Sequence, residues 1–505
     1  MWDIILVVAA FALSIVALRH GKASRLPPGP PGNLFFGNAL EKNEQPTLPR
    51  ALRYTWRNCK SSSTALTGGE GRGEREIKGI NKLSRSGWAE AILFVPYGPR
   101  LRSYRRLLHQ TLNPRATLDF EDLQIQEVRK LMKRLLMRPE DFLDHICLPP
   151  LRYAGAVSIR IAYGHTARDF SDEFIQGAEE FMRALSEGVL GLIKYGCPRL
   201  SRVFKSSNPS REMRLHEKAY SIKVVRYIPS WFPGATFKRK TEQWARMTVQ
   251  YRQGPFDYVL KHMTEGTAEP SFTSKLLDPA DGSQVGESER DMIKQIVASH
   301  LYGAGADTTA SIIQSFFLAM TLYPDVQSTA QAELDAYLAS KRTLTVSDWE
   351  HLPYTNAIVM ESLRWHPVTN IIARKTKEDE VVGEWVIPSG TYVIGNLWAI
   401  LHNPEIYPDP CVFKPERYLG NEPAPDPAMY GFGFGRRHIA LQSLWLVISN
   451  ILANFEISKF CTPDGEEVTP GEEYTSGILS RPLPFKNVIK PRSLACRAMV
   501  DEVEI

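Results

Sequence analysis

The sequence predicts a mainly helical protein with small β-sheets and an N-terminal membrane anchor. From about Phe120 to Leu322 the apolar residues mostly recur at helical spacing, with loops marked by proline and glycine. Beyond Pro388 the pattern changes to short extended pieces and proline-rich turns. At the other end, Ile4 to Leu18 is apolar except for Ser14. A chain of 505 residues, 43% of them hydrophobic, can bury a large core.

Composition excludes several classes of protein. The chain is not collagen-like, disulfide-stapled or wholly disordered. Its 61 basic and 56 acidic residues leave a net charge of +5, which is too dilute over this length to indicate nucleic-acid binding. The six cysteines have no paired spacing, which indicates free thiols in a reducing compartment.

The apolar N-terminal run is interpreted as an uncleaved membrane anchor. A secretory signal peptide carries positive charge before its apolar stretch. Here Asp3 precedes the run, whereas Arg19, Lys22 and Arg25 follow it. Positive charge on that side predicts that the rest of the chain is cytosolic. The run is shorter than the roughly 20 residues of a full span, so a buried core helix is the alternative.

The next segments define the predicted domain boundaries. Four prolines between residues 27 and 31 cannot form a helix and indicate a stiff spacer. Residues 55–87 are rich in Ser, Thr, Gly and charge, and are interpreted as disordered or anomalous. The predicted division is an anchor at 1–20, a basic and Pro-rich hinge at 21–34, the main domain at 35–493 and a tail at 494–505.

A long helix is predicted from Glu289 to Leu322, because this stretch lacks proline and keeps its period for about nine turns. Inside it lies Ala304-Gly305-Ala306-Asp307-Thr308-Thr309. Small residues there admit a flat group close to the backbone, and a Thr hydroxyl can bond back to a carbonyl and bend the helix. Asp307 with Thr308 then offers a proton route. A helix-packing notch with a surface Asp is the alternative.

Downstream, three charged residues are candidates for a buried knot. Glu361 and Arg364 lie at i, i+3 on one helical face, and Arg417 follows a rigid turn. One carboxylate shared by two guanidiniums would be geometrically strict. Upstream, residues 97–106 open a strongly basic helix that is either a solvated face or a clamp for acidic groups. A last amphipathic helix is predicted from His438 to Asn454.

These motifs, in this order, resemble the fungal branch of the cytochrome P-450 (haem-thiolate monooxygenase) family. The resemblance covers roughly Phe94 to Ser493, together with the anchor and the proline hinge. It implies the cytochrome P-450 fold, haem as cofactor and electrons from NADPH through a reductase. It also implies insertion of one oxygen atom from O₂ into a lipophilic small molecule, in secondary metabolism or xenobiotic oxidation, at the endoplasmic reticulum membrane.

The resemblance also implies roles for individual residues. The acid–alcohol pair that delivers protons is Asp307 and Thr308, and the structural triad is Glu361, Arg364 and Arg417. The residues expected at the cofactor are Arg105, Ala304, Gly305, Arg374, Phe432, Gly435 and Arg437. Substrate contacts are expected within Val368 to Ile372, from Val368, Ile371 and Ile372, and also from Gly477 and Ile478. The basic helix around Arg105 is expected to face an acidic reductase, and Leu101 stands where the family usually has Trp.

The loop that should hold the iron ligand departs from the family pattern. That pattern is Phe-x-x-Gly-x-Arg-x-Cys-x-Gly, and Phe432, Gly435 and Arg437 match it. The cysteine position holds Ile439, and no cysteine lies nearer than Cys461. Thiolate donation favours O–O cleavage, so its loss removes the basis of monooxygenase chemistry. A deletion of about five residues between Arg437 and His438 would also explain the pattern, since residues 438–442 resemble the helix that follows the cysteine.

Three interpretations therefore remain open. The parent gene encodes an ordinary monooxygenase and this sequence carries a faulty or alternative splice junction. Alternatively, the chain is a membrane-anchored, non-catalytic pseudoenzyme that binds lipophiles or partners. In the third, His438 ligates iron in place of cysteine, although a single His without supporting ligands favours an ordinary helix-start residue. In each case this chain is predicted to lack the thiolate-type spectrum.

Overall fold

The computed structural model describes eight stretches of the chain. These are residues 97–146, 152–167, 172–181, 236–279, 284–338, 343–432, 437–475 and 479–502, apart from 179 and 384, with isolated positions at 92, 95 and 282. The predicted anchor, the hinge and the segment 55–87 lie outside these residues. Among the helices that are described, none is long and apolar enough to cross a membrane.

Helices dominate the described residues. They are α1 Pro99–Thr111, α2 Glu121–Met137, α3 Phe142–Ile146, α4 Arg152–Tyr163, α5 Thr236–Thr264, α6 Phe272–Leu277, α7 Glu287–Ile296, α8 Gly303–Leu322, α9 Pro324–Tyr337, α10 Pro353–Trp365, α11 Leu397–Leu401, α12 Ala428–Gly431, α13 His438–Asn454 and α14 Leu494–Asp501. Short 3₁₀ turns lie at Ala116–Phe120, Pro139–Asp141, Val346–His351 and Pro415–Tyr418.

Within the described residues, seven short strands form three small antiparallel sheets. The strands are β1 Ile371–Lys375, β2 Glu380–Val382, β3 Trp385–Ile387, β4 Tyr392–Asn396, β5 Phe455–Cys461, β6 Glu467–Val468 and β7 Asn487–Pro491. β1 pairs with β4, β2 pairs with β3, and β5 lies between β6 and β7. The register of the first pair sets Arg374 opposite Val393. A mainly helical fold with small sheets is therefore what the structure shows.

Two clusters of buried apolar side chains form the core. The larger cluster joins α2, α3, α4, α8, α9, α10 and α13 with β5 and β7, and includes Phe316, Trp365 and Trp445. The smaller cluster joins α1, α4, α5, α6 and α7, and includes Tyr104 and Phe256. Burial of aromatic side chains of this size supplies much of the stabilising free energy.

The long helix predicted from Glu289 is present but interrupted. A π-helical turn at Val297–Tyr302 separates α7 from α8, directly before the small-residue segment. Such turns occur mostly as single insertions, frequently at functional sites. The irregularity thus ends six residues, or nearly two turns, before Thr308, whose hydroxyl was expected to bend the helix.

One expectation about the last predicted helix needs correction. Helix α13 has the predicted bounds, but it is not amphipathic, because every residue from Gln442 to Asn454 is buried. Within the predicted tail, α14 begins at the Ser493 cap and buries Cys496 and Val500. The outer face of α13 is covered by other elements, which periodicity alone does not reveal.

Candidate functional site

The carboxylate of Glu361 is held in a fully buried knot. Arg364 donates two bonds to it, from Nε to Oε2 and from Nη2 to Oε1, each 2.8 Å long. Arg417 Nε donates to Oε1 at 3.1 Å, and the backbone N–H of Lys414 does so at 2.9 Å. Both side chains of the first pair are 0% exposed. One carboxylate is thus shared by two guanidiniums, as the spacing in the sequence suggested.

Arg364 and Arg417 also bind backbone carbonyls of the segment 401–412. Arg364 Nη1 donates to the carbonyl of Leu401 at 3.0 Å, and Arg417 Nη1 donates to that of Pro408 at 2.8 Å. Both guanidiniums reach the carbonyl of Val412 as well. The planar fork of arginine allows this simultaneous bonding to a carboxylate and to backbone. The knot therefore joins the end of α10 to the segment 401–418.

The acid–alcohol pair lies in the first turns of α8 and is half-buried. Burial raises the pKa of the Asp307 carboxyl above its usual range, and the positive charge of Arg481 opposes part of this shift. Ser311 forms a back-bond of the predicted type, since its hydroxyl donates to the Asp307 carbonyl at 2.8 Å. An acid with a raised pKa beside an alcohol can hold and release a proton.

The surroundings of Gly305 agree with a helix-packing notch, the alternative given above. A Cβ atom added to it would lie 3.0 Å from the hydroxyl oxygen of Ser158 on α4. The small residue thus allows α4 to approach α8 closely, which is a helix-packing notch. Ala304 lies in α8 as well, but its side chain is outside the described residues.

The three arginines expected at the cofactor lie on different elements. Arg105 is on α1 and Arg374 on β1, and both side chains are half-buried. Arg437 precedes α13, and its Nη1 donates to Asp426 Oδ2 at 2.7 Å. The guanidinium of Arg437 is thus engaged by a carboxylate of the chain itself. Such a charge-assisted bond competes with any bound propionate.

The ligand position contains no group that could bind iron. Ile439 is half-buried and packs against both core clusters, and His438 is exposed. Phe432 packs against the larger cluster, while Gly435 lies outside the described residues. Within the part of the chain that the structure describes, no group of three His, Cys, Asp or Glu side chains could hold a metal ion. An isoleucine cannot donate to iron, so these residues do not fit a thiolate-ligated haem.

The expected substrate contacts lie after α10. Val368, Ile371 and Ile372 are half-buried, and the carbonyl of Val368 accepts the N–H of Ser480 at 2.7 Å. This bond places Ser480 beside Val368. Gly477 and Ile478 lie outside the described residues.

Sequence reasoning missed two residues near this site. Arg481 supplies the charge that acts on Asp307, although 174 positions separate them. His366 stacks on Tyr474 with ring centroids 3.8 Å apart, and burial lowers its pKa to about 3. Neither has a local pattern that would mark it, because both depend on contacts between distant segments.

Comparison with known proteins identifies the family. The family model described as cytochrome P450 matches residues 213–487. Cytochrome P450 monooxygenase ARMGADRAFT_974139 of Armillaria gallica is 36% identical over 427 residues, with 82% of this chain and 78% of that protein covered. Cytochrome P450 monooxygenase claT of Ampulloclitocybe clavipes is 30% identical, with 99% and 98% covered.

A solved structure gives the same fold. A zebrafish cytochrome P450, in a structure with abiraterone, has a TM-score of 0.60 and 20% sequence identity. The match covers 88% of this chain and 92% of that one. At this identity the likeness concerns the fold alone.

Proposed function

Since the chain belongs to the cytochrome P450 family, we propose that its fold is that of a monooxygenase for lipophilic small molecules. Its curated relatives are named monooxygenases, which are oxidoreductases. The family implies haem iron and a reductase as electron donor. The proposed reaction inserts one atom of O₂ into the substrate with electrons from NADPH, in fungal secondary metabolism or xenobiotic oxidation. Apolar Val368, Ile371 and Ile372 suit such a substrate.

In its present sequence the chain does not carry out this reaction. The observation that carries this conclusion is Ile439, which stands at the ligand position and packs into both core clusters. Haem supplies the O₂ chemistry in the family, and its axial thiolate favours O–O cleavage. Without a sulfur donor, the remaining residues can position a proton at Asp307 but have no activated oxygen to receive it.

The partner surface of the proposed enzyme is the exposed side of α1. Arg100, Arg102 and Arg106 are exposed there, while Leu101 and Tyr104 face the smaller core cluster. A cluster of positive charge favours association with an acidic protein. This supports docking of an NADPH-dependent reductase, as the resemblance implies.

The proposed location is the endoplasmic reticulum membrane, with a single span and a cytosolic body. The apolar residues 4–18 and the basic residues that follow them support this topology. These residues precede the part of the chain that the structure describes.

The second candidate is a membrane-anchored, non-catalytic protein that binds lipophiles or partners. It is favoured by the intact knot around Glu361, which is complete without any iron ligand. A fold that keeps its internal bonds after losing the reactive group can still present a binding surface.

One spectroscopic experiment tests the proposal. Full-length protein is produced in membranes with added haem and a reductase, then reduced and exposed to CO. We expect no thiolate-type Soret band and no NADPH consumption above the level without the chain. Retention of a lipophile without its oxidation would support the second candidate. A thiolate-type band from the unaltered chain would contradict the proposal.

A further inference from the structure

Helix α13 begins directly after Arg437, so Ile439 is a helical residue. The N–H of Leu441 donates to the carbonyl of Arg437 at 2.9 Å and closes the first turn. From Gln442 onward, thirteen consecutive residues are buried. A shift of one position would turn all of them by about 100° about the helix axis. Packing therefore holds Ile439 in its register.

A cavity lies beside the first two turns of this helix. Its volume is about 60 Å³, and α13 contributes Ile439, Ala440 and Ser443 to its lining. On the other sides lie α4, through Val157 and Ser158 among others, and α8 with the preceding π-helical turn. Protein interiors contain few voids larger than a water molecule. The packing is thus incomplete where the ligand loop should enter the helix.

Relatives that match nearly the whole chain contain residues with no counterpart in it. The alignment with the Ampulloclitocybe clavipes protein spans 523 positions, which is more than the 505 residues of this chain. An alignment with cytochrome P450 monooxygenase 98 of Postia placenta spans 539 positions. Segments are therefore missing from this chain relative to both proteins.

We infer that the iron-ligand segment is absent from this chain, and not substituted at Ile439. The missing residues lie between Arg437 and His438 and comprise the second half of the ligand loop with about one helical turn, or about 3.6 residues. The inference rests on the proposed function, since it concerns the same site. It explains why α13 begins directly after Arg437, why packing is incomplete beside its first turns and why Ile439 contacts both core clusters.

The inference predicts different results for two variants. If the ligand had only been replaced by Ile439, restoring a cysteine at that position would be sufficient. In Ile439→Cys the new thiol lies on α13, beside the cavity shared with α4 and α8. By contrast, an inserted segment Ala-Cys-Pro-Gly-Ala between Arg437 and His438 leaves the helix register intact. It places the thiol ahead of the helix, where the loop pattern requires it.

The experiment uses three full-length variants. They are the Cys insertion, a matched insertion Ala-Ala-Pro-Gly-Ala and Ile439→Cys. Each is measured with haem, reduced and exposed to CO, and also without haem by thermal unfolding. We expect a thiolate-type band from the Cys insertion alone. Both insertions should leave the haem-free unfolding midpoint within about 1 °C of that of the unaltered chain, because they add residues ahead of α13 and keep its buried residues in register.

Ile439→Cys should lower the haem-free midpoint, because it removes buried apolar atoms from both core clusters. A thiolate-type band from Ile439→Cys would overturn the inference. A fall in the haem-free unfolding midpoint of both insertion variants would also overturn it. This measurement does not depend on whether Ile439→Cys folds. Failure of the proposed function is distinguishable, because it would appear as a thiolate-type band in the unaltered chain.

Discussion

At the level of single residues, Glu361 is a fully buried charge whose stability depends on its hydrogen-bond partners. Its carboxylate accepts four hydrogen bonds, from Arg364 twice, from Arg417 and from the Lys414 backbone. Removal of one partner leaves the others as buried charges without a counter-charge. The resulting loss of folding free energy is larger than the net stabilisation that the intact pair provides. The knot therefore makes the fold intolerant of change here.

Glu361→Gln should lower the free energy of unfolding by about 3–5 kcal/mol, because two buried guanidiniums lose their counter-charge. The measurement is a urea titration followed by far-UV circular dichroism. Asp141→Asn is the matched control: its exposed ion pair with Arg138 spans 3.5 Å and should contribute less than about 1 kcal/mol. Equal losses in the two variants would contradict the assigned role.

His366 and His402, whose pKa values are lowered in the folded chain, make stability depend on pH. Burial, assisted by the charge of Arg364, lowers the pKa of His366 to about 3 and that of His402 to about 4. In the unfolded chain both titrate near 6.5. Below pH 6.5 the unfolded chain therefore binds more protons than the folded one, and stability falls as the pH falls toward 4.

His366→Phe should flatten this dependence. The substitution keeps a ring against Tyr474 and removes one titrating group, so the slope of stability between pH 6.5 and 4 should fall by up to about 1.4 kcal/mol per pH unit. Urea titrations at several pH values measure it, with exposed His109→Gln as control. An unchanged slope in His366→Phe would refute the assignment.

At the level of elements, α10 depends on a neighbour for its N-terminus. Glu333 on α9 accepts the backbone N–H groups of Tyr354 at 2.7 Å and Thr355 at 2.9 Å. It also accepts the Thr355 hydroxyl at 2.8 Å. A carboxylate at this end of a helix satisfies unpaired N–H groups and complements the helix dipole. The helix that carries Glu361 is thus positioned from outside its own segment.

Glu333→Gln should reduce the free energy of unfolding by about 2 kcal/mol, because these charge-assisted bonds become neutral or are lost. Exposed Glu350→Gln serves as the control and should change it by less than about 0.5 kcal/mol. The two variants can be compared by urea titration. A result for Glu333→Gln within the range of the control would argue against external capping.

At the level of the whole molecule, the N-terminal residues determine the predicted location. Deletion of residues 1–20 should move the chain from the membrane fraction to the supernatant, because it removes the apolar run. Centrifugation after alkaline extraction measures the distribution. A deletion of equal length at residues 61–80 keeps the run and should leave the chain in the membrane. Retention of the first variant in membranes would contradict the anchor.

Much of the molecule could be predicted from local patterns. The mainly helical class and the bounds of α13 follow from the distribution of apolar residues along the chain. The shared carboxylate of Glu361 was suggested by residue types that suit only one strict geometry. The missing ligand was evident as well, since no cysteine stands in the loop that begins at Phe432.

Other features depended on contacts between segments far apart in the chain. Gly305 faces Ser158, Arg437 bonds to Asp426, and Arg481 acts on Asp307. The burial of α13 on every side also depends on the elements around it, not on its own period. Periodicity and motif spacing describe one segment at a time, whereas these contacts arise only when helices and loops pack together. The contacts of Ile439 were of this kind: the sequence placed it in the last predicted helix, but only packing showed that it touches both core clusters.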